Sequence, residues 1–279
     1  MSFGYHIGKK QSFFKSIKDA YEKEDGTSAY QMFLKSPQRR ALSKITDIDK
    51  SETLKYVKKH KIKLFIHSGY LFNIGNTPTE YSISTGVDDI MTGAAIGAIG
   101  VVFHVGKHCK RCSELETMNI MIEYINEVID KTKSVKTKFL LETASGAGTE
   151  VAIKLDDLKY IFDHVNIKSR FGFCIDTCHI FAAGYDIKDK PDLFITQFNK
   201  IIGLKKVKLI HLNDSKGKLD SHLDRHRNML DGTIGDKGLS TFIKRFYGLR
   251  IPIILETPRD KTEEDLNYIK KNIDNIQTI

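Results

Sequence analysis

The segment GFCIDTCHIFAAGYD, residues 172–186, places four potential metal ligands within six positions: Cys174, Asp176, Cys178 and His179. These residue types could form a thiolate zinc site, a carboxylate–imidazole site or a redox pair of cysteines. The segment could also be an ordinary junction between a strand and a loop. All four interpretations fit so short a segment, so the elements that position it have to distinguish them.

Eight short apolar runs recur along the chain, and several of them precede an amphipathic helical pattern. Their apolar, β-branched composition with little alternation is typical of parallel strands that are covered on both faces. The runs are FGYHI (3–7), SAYQMFL (28–34), KLFIH (63–67), IGVVFH (99–104), KFLLE (138–142), FGFCID (171–176), VKLIH (207–211) and IPIILE (251–256). They predict an α/β fold, a single (β/α)8 barrel domain over residues 1–279, with a doubly wound open sheet as the alternative.

Six of the eight runs end on a residue that can bind a metal. These residues are His67, His104, Glu142, Asp176, His211 and Glu256. The C-terminal ends of barrel strands meet at one mouth, so three imidazoles and three carboxylates should share one cleft. Unpaired carboxylates in such a cleft would repel one another and resist desolvation, and divalent cations remove that cost. The six residues together therefore predict a metal cluster.

Three further candidate ligands lie just beyond the strand ends. His179 follows Asp176 on the predicted loop, and the Asp-x-His spacing of Asp224 and His226 directs both side chains to one side of an extended segment. Nine nitrogen and oxygen ligands without sulfur suit zinc or manganese at a catalytic site that stays open to water and substrate. Nine ligands are too many for one ion, and with one bridging carboxylate they could serve three.

The remaining histidines and cysteines have less specific patterns. His6 and His108 would lie near the mouth, where they could support the ligands. Three other histidines are expected at the surface: His60, His164 and His222. Cys109 and Cys112 form a CxxC without a second pair at zinc-ribbon spacing, so we expect free thiols in a loop.

Strand alternation also bears on the two cysteines of the first segment. Cys174 and Asp176 should both point into the barrel, with Cys174 one layer below the mouth, and Cys178 should lie in the turn. Neither cysteine is then expected to bind metal.

Several motifs together resemble the endonuclease IV family, the apurinic/apyrimidinic endonucleases of DNA base-excision repair. GFCIDTCHIFAAGYD, HLNDSKG (211–217) and DRHRN (224–228) carry the resemblance, and FIHSGYLFNIGN (65–76), VVFHVGKH (101–108), LLETASGAGTE (140–150) and IILET (253–257) follow in the family's order. The resemblance implies a (β/α)8 barrel with three zinc ions at its C-terminal face. It also implies cleavage of the phosphodiester 5′ to an abasic nucleotide, leaving a 3′-hydroxyl and a 5′-deoxyribose phosphate, and trimming of blocked 3′ ends.

Carried over residue by residue, the resemblance implies three ligand groups for zinc, with manganese as an alternative at one site. The groups are His67, His104 and Glu142; Glu142 as a bridge with Asp176, His211 and Glu256; and His179, Asp224 and His226. Glu256 is the candidate for orienting or deprotonating the attacking water, and Glu142 is the second catalytic candidate.

The resemblance also implies residues that contact the substrate, double-stranded DNA with abasic sites. Tyr70 and Leu71 match the family's residues that push into the duplex at the lesion. By spacing, Gln38 occupies the place of the family's intercalating arginine, and Arg39 follows it. The net charge of +9 is consistent with an anionic partner.

Composition narrows the class of protein. A hydrophobic share of 41% with 28% charged residues is typical of a soluble globular protein. No apolar stretch approaches the ~20 residues needed to cross a bilayer, and no signal peptide is recognisable, so we expect an intracellular monomer without membrane contact. Two other functions stay open: a metal-dependent sugar isomerase or epimerase, in which Asp224 and His226 would be idle, and a basic DNA-binding protein with closed, structural metal sites.

Overall fold

Eight parallel strands form a closed barrel in the computed structural model, which describes residues 2–24, 26–35, 45–69, 73–108 and 112–277. The barrel strands are β1 (Phe3–His6), β2 (Ala29–Phe33), β3 (Lys63–His67), β4 (Gly100–Phe103), β5 (Lys138–Glu142), β6 (Phe171–Asp176), β7 (Val207–His211) and β10 (Ile253–Leu255). They are hydrogen-bonded in the order β1-β10-β7-β6-β5-β4-β3-β2. Two short strands, β8 (Asp214–Ser215) and β9 (His226–Arg227), pair antiparallel outside this barrel. The predicted (β/α)8 barrel is confirmed, and the open sheet is excluded.

Helices follow the barrel strands. They are α1 (Phe13–Lys23), α2 (Asp47–Lys59), α3 (Glu80–Ala95), α4 (Glu114–Lys131), α5 (Leu155–His164), α6 (Thr177–Ala182), α7 (Pro191–Ile201), α8 (Gly235–Gly248) and α9 (Thr262–Gln277). The first four helices begin after a capping side chain whose oxygen accepts a hydrogen bond from the backbone three residues later: Ser12, Thr46, Thr79 and Ser113. Of the helices in the described ranges, none is long and apolar enough to cross a membrane.

One layer of side chains fills the middle of the barrel. Its members are Ala29, Phe65, Val102, Leu140, Cys174, Leu209 and Ile254. The predicted place of Cys174, one layer below Asp176, is therefore confirmed. Side chains that face outward from the strands pack beneath the helices; the ring of Phe139, for example, stacks on that of Phe103 with 4.0 Å between centroids. This packing holds the strands that carry the candidate site.

Candidate metal centre

The candidate site is the layer of side chains directly above the interior layer. Successive side chains of a strand alternate between faces, so a residue two positions after an inward-facing residue also points inward, closer to the mouth. Two positions after the seven residues of the interior layer stand Gln31, His67, His104, Glu142, Asp176, His211 and Glu256. Six of them are the predicted strand-end ligands. The seventh, Gln31, is a residue that the strand-end pattern misses.

Glu142 lies between two imidazoles. Its Oε2 atom is 3.4 Å from His67 Nε2 and 3.7 Å from His104 Nε2. This oxygen is buried and accepts no hydrogen bond from any residue in the described ranges. A tetrahedral ion with bonds of about 2.1 Å places neighbouring ligand atoms about 3.4 Å apart. The three side chains are therefore spaced as ligands of a shared cation rather than as hydrogen-bonded partners.

His211 faces three carboxylates with a single nitrogen. Its Nδ1 is 2.7 Å from Glu142 Oε1, 3.1 Å from Glu256 Oε2 and 3.8 Å from Asp176 Oδ2. The candidate ligand atoms of these four residues all lie within 4.8 Å of one another. Three acidic groups at such distances, two of them fully buried, need more positive charge than one imidazole supplies. The donor set fits a second cation, with Glu142 shared between the two.

The charges of this group perturb one another. Burial acts to raise the pKa of Glu142, but the facing imidazoles of His211 and His104 lower it well below its usual value. Burial also acts to raise the pKa of Glu256, but His211 outweighs burial and brings that pKa well below its usual range. Burial acts to lower the pKa of His211, whereas the negative charges around the ring, Glu256 and Glu142 among them, raise it well above its usual value. Both carboxyl groups are therefore ionised at neutral pH.

The third group gathers around Asp224. Its Oδ1 atom is 3.2 Å from His179 Nε2 and 3.4 Å from His226 Nε2. His226 Nε2 is also 3.5 Å from Asp176 Oδ2, which the structure thus adds to the group. Burial acts to raise the pKa of Asp224, but its hydrogen bond and charge interaction with His179 bring it down to about 2. Cys178 also lies near this group, but burial raises its pKa to about 12, so it stays a thiol and a poor ligand.

Backbone carbonyl groups set the tautomer of three imidazoles. His67 Nδ1 is 2.8 Å from the carbonyl oxygen of Ser68, His179 Nδ1 is 2.8 Å from that of Thr143, and His226 Nδ1 is 3.2 Å from that of Glu256. A carbonyl oxygen can only accept, so each Nδ1 carries the proton. In the neutral form of each ring, which is the form that can bind a cation, Nε2 then keeps its lone pair, and each Nε2 faces the carboxylates. Such hydrogen bonds behind a ligand are typical of histidines that bind metal.

Gln31 sets the opposite tautomer in His211. The Gln31 side chain is fully buried, its Oε1 lies 2.9 Å from His211 Nε2, and its Nε2 donates to Glu256 Oε1 at 2.5 Å. In the neutral ring, His211 Nε2 therefore carries the proton, which leaves the Nδ1 lone pair directed at the three carboxylates. His6 completes this side of the site, with Nδ1 3.1 Å from Gln31 Nε2 and 3.4 Å from Glu256 Oε1. Its predicted place near the mouth is confirmed.

The two carboxylate oxygens of Asp176 accept hydrogen bonds from two different parts of the chain. One of these bonds corrects the prediction for the residues that follow Asp176. Its Oδ1 accepts the backbone N–H of His179 at 3.0 Å as the N-cap of α6, and its Oδ2 accepts from Asn213 Nδ2 at 2.7 Å. The cap begins a helix directly after the strand, so the predictions of a loop at His179 and a turn at Cys178 were wrong; both lie in α6. Asn213, a second missed residue, also accepts the backbone N–H of Glu256 at 2.9 Å.

The other predicted residues are distributed as follows. His164 and His222 are exposed, as predicted, whereas His60 is half-buried against the ring of Tyr56. His108 follows β4 and donates its backbone N–H to Thr149. The proposed DNA contacts and one cysteine of the CxxC lie outside the described residues: Gln38, Arg39, Tyr70, Leu71 and Cys109.

A cleft of about 510 Å³ opens beside the Glu256 side of the centre. Lys9 and Arg259 contribute cationic side chains to its wall, and His226 and Glu256 reach into it from the centre. Lys35 also lines the cleft, but its ammonium group is paired with Asp89 at 2.8 Å. The cluster of acids and imidazoles is thus accessible from a positively charged cleft. This arrangement suits an anionic substrate that has to approach buried carboxylates.

The sequence is similar to a family of TIM barrels and to proteins named as endonucleases. Residues 20–278 match the family described as Xylose isomerase-like TIM barrel. The chain is 34% identical over 280 aligned positions to a "Probable endonuclease 4" of Nitrosopumilus maritimus, covering 97% of this chain and 98% of that protein. It is also 34% identical to the protein of that name in Clostridium botulinum, with 93% and 94% covered.

Solved structures give the same picture. Endonuclease IV from Thermus thermophilus superposes with a TM-score of 0.87 at 25% identity, covering 99% of this chain and 100% of that one. A D-tagatose 3-epimerase-like protein superposes with a TM-score of 0.72 at 15% identity over 100% of this chain and 99% of that one, which shows a common fold alone.

Proposed function

Because the chain belongs to the endonuclease IV family of metal-dependent DNA-cleaving enzymes, we propose that it is a zinc-dependent apurinic/apyrimidinic endonuclease of base-excision repair. The proposed reaction is hydrolysis of the phosphodiester 5′ to an abasic nucleotide, which leaves a 3′-hydroxyl and a 5′-deoxyribose phosphate. Removal of blocked 3′ ends is the same bond cleavage at a terminus and is part of the proposal.

One observation carries the proposal: nine side chains with nitrogen or oxygen donor atoms converge in three overlapping groups that share Glu142 and Asp176. We propose that the groups hold three zinc ions, with manganese as an alternative at one site. The nine ligands are His67, His104, Glu142, Asp176, His179, His211, Asp224, His226 and Glu256. Zinc bound there would lower the pKa of water and offset the charge of the phosphodiester.

The side chains around Glu256 define its part in the reaction. Glu256 is 13% exposed at the edge of the cleft, and Gln31 and Asn213 hold its carboxylate and backbone in place. Its pKa lies well below the usual value, which makes it a weak base at neutral pH. We therefore assign Glu256 to orienting the attacking water by accepting a hydrogen bond, rather than to removing its proton. Glu142 belongs both to the group of His67 and His104 and to the group of His211, and it therefore keeps the two candidate metal sites at a constant separation.

Substrate recognition in the proposal combines charge and stacking. Lys9 and Arg259 line the cleft and would contact phosphates, so binding should weaken steeply with salt. Tyr70 and Leu71 would enter the duplex at the lesion, where a missing base makes extrusion least costly. Gln38 and Arg39 would contact the strand near the lesion. These four assignments rest on the resemblance of their motifs.

A sugar isomerase or epimerase on the same barrel is less well supported. Such enzymes need one or two ions, which would leave Asp224 and His226 without a role. Both residues lie 3.2–3.5 Å from ligand atoms of His179 and Asp176, in the same way as the members of the other groups. The likeness to an epimerase-like structure extends to the fold alone.

The test is incision of a short duplex that carries one abasic analogue. We expect a single cut 5′ to the analogue, lost after prolonged chelation and restored by zinc. Glu256→Gln should slow the cut by about 10²–10⁴-fold, because the amide no longer presents the second acceptor oxygen. Glu263→Gln, an exposed acid in the first turn of α9, is the matched control. No cut at the analogue, turnover of a sugar without incision, or an unchanged rate for Glu256→Gln would overturn the proposal.

A further inference from the structure

Basic residues cluster at the N-terminal ends of three neighbouring strands, β5, β6 and β7. We call this cluster the basic face; its members are Lys136, Lys138, Lys168, Arg170, Lys205, Lys206 and Lys208. The metal centre lies at the opposite, C-terminal ends of the same strands. A duplex bound over the metal centre therefore does not account for this concentration of charge.

Three ammonium groups of the basic face, those of Lys138, Lys168 and Lys208, bind carbonyl oxygens rather than carboxylates. Lys138 Nζ donates to the carbonyl of Ser169 and Lys208 Nζ to that of Lys205, both at 2.5 Å. Lys168 Nζ donates to three carbonyl groups at the end of α5, at 2.8–3.0 Å. Throughout the described part of the chain, no carboxylate oxygen lies within 4.0 Å of a charged nitrogen of the basic face. Carbonyl groups thus fix these three cations in place, and no carboxylate neutralises their charge.

Other contacts add to this rigidity. Arg170 is buried and donates to the carbonyl groups of Thr132 and Thr137 at 2.6–3.0 Å. Lys168 and Lys206 both lie over the ring of Phe162, with Nζ 5.1 Å and 4.7 Å from its centroid. Cations held in position before an anion arrives lose little conformational entropy when it binds.

Like charges on the basic face repel one another. Burial, and then the neighbouring Arg170, lower the pKa of Lys138. Burial, and then Lys138 and Lys206, lower the pKa of Lys208. An anion bound across the strand ends would relieve this repulsion.

The chemistry of the surface favours nucleic acid over a protein partner. Protein interfaces are anchored by large apolar and aromatic side chains, whereas a phosphate backbone requires mainly positive charge. Among the described residues, none of the exposed large hydrophobic side chains belongs to these three strands or to the segments directly before them; they are Ile48, Tyr81, Met91, Leu115, Leu193, Leu219, Leu223, Leu230 and Leu249. The basic face thus offers charge without apolar anchors.

We propose that the basic face binds the phosphate backbone of a second duplex DNA segment, without sequence readout, at the end of the barrel opposite the metal centre. Such a contact would keep the protein on long DNA while the other face engages or leaves a site. The proposal does not depend on the reaction assigned to the metal centre, since it concerns binding of undamaged duplex.

Salt dependence of binding provides the test. The triple variant Lys168→Gln, Lys205→Gln and Lys206→Gln removes three accessible charges and keeps part of each side chain. The control, Lys55→Gln, Lys244→Gln and Lys271→Gln, makes the same change in net charge on the exposed surfaces of α2, α8 and α9. The probe is a long undamaged duplex, with affinity measured by fluorescence anisotropy between about 50 and 200 mM salt.

Each phosphate contact contributes about 0.9 to the magnitude of the slope of log affinity against log salt concentration. The slope of the first variant should therefore be shallower than that of the parent protein by up to about 2.7. The control should keep the slope of the parent protein, and the corresponding Lys→Arg variant should restore it. Equal slopes for the two Gln variants would overturn the proposal. Tighter binding of polyglutamate than of duplex, abolished by the first variant, would also overturn it by identifying an acidic protein as the partner.

Discussion

Replacing Gln31 by Leu tests the claim that this buried amide determines which nitrogen of His211 faces the metal centre. Leu has a similar volume but can neither accept from His211 Nε2, now 2.9 Å from Gln31 Oε1, nor donate to Glu256 Oε1 at 2.5 Å. The imidazole can then satisfy a carboxylate by placing its proton on Nδ1, which is 2.7 Å from Glu142. A protonated Nδ1 has no lone pair for a cation.

Two estimates of the free energy that Gln31→Leu costs in zinc binding agree. Leaving a buried N–H without an acceptor costs about 1–3 kcal/mol, which the variant incurs whenever His211 keeps the tautomer that binds metal. Mutation of residues that hydrogen-bond to ligands weakens metal affinity by about 10–100-fold, which corresponds to about 1.4–2.7 kcal/mol. We therefore expect Gln31→Leu to bind the zinc of the His211 group about 10–100-fold more weakly, with little change in the affinity of the other groups.

Zinc affinity is measured by competition with a chromophoric chelator, and ¹⁵N NMR of the imidazoles reports the tautomer of His211 independently of activity. Gln197→Leu, an exposed change on α7, is the matched control. Gln31→Glu keeps an acceptor for His211 but adds a negative charge beside Glu256, so it should preserve the tautomer while displacing that carboxylate. Unchanged zinc affinity and an unchanged tautomer in Gln31→Leu would refute the reasoning.

Three further predictions concern pH and stability. In protein stripped of zinc, the raised pKa values of His179 and His211 stabilise the fold fully below about pH 6.5 and progressively less as the pH rises, so Tm should fall as the pH rises above about 6.5. With zinc restored, Tm should instead rise as the pH rises above about 6.5, because zinc competes with protons for those imidazoles; parallel slopes would contradict this. Leu230 is half-exposed at φ 70°, so Leu230→Gly should raise the free energy of unfolding in urea by about 0.5–1 kcal/mol, and a loss would contradict the assigned strain. Phe139→Ala should lower the same free energy by about 3–5 kcal/mol without changing zinc affinity, because its fully buried ring packs outside the barrel interior.

Local patterns were sufficient for much of the fold and of the site. Runs of apolar residues that repeat with helical patterns between them identify a barrel, because parallel strands buried on both faces need that composition. The same logic places the ends of the runs at one mouth, and the structure brings all six strand-end residues together. One local signal was overlooked: Asp176 stands where an N-cap is preferred, which could have predicted α6 and the helical position of His179.

Which residues form the inner layers could be determined only from the closed barrel. Strands in a barrel are staggered, so residues at one height are not always the last residues of their strands. β2 continues two residues beyond Gln31, and β1 ends on a histidine whose partners come from β2 and from the end of β10. The rule of strand ends therefore omitted Gln31 and left His6 as a supporting candidate.

The sequence by itself determined which residue types are available as ligands and on which face of each strand they lie, because the two-residue period of a strand is a local property. Only the tertiary structure decided which nitrogen of each imidazole is directed at the centre. That choice depends on acceptors far away in the chain: the Thr143 carbonyl for His179, the Glu256 carbonyl for His226 and the Gln31 amide for His211. A proton on a ring nitrogen follows the hydrogen bond that the fold offers it, and no local pattern specifies that bond.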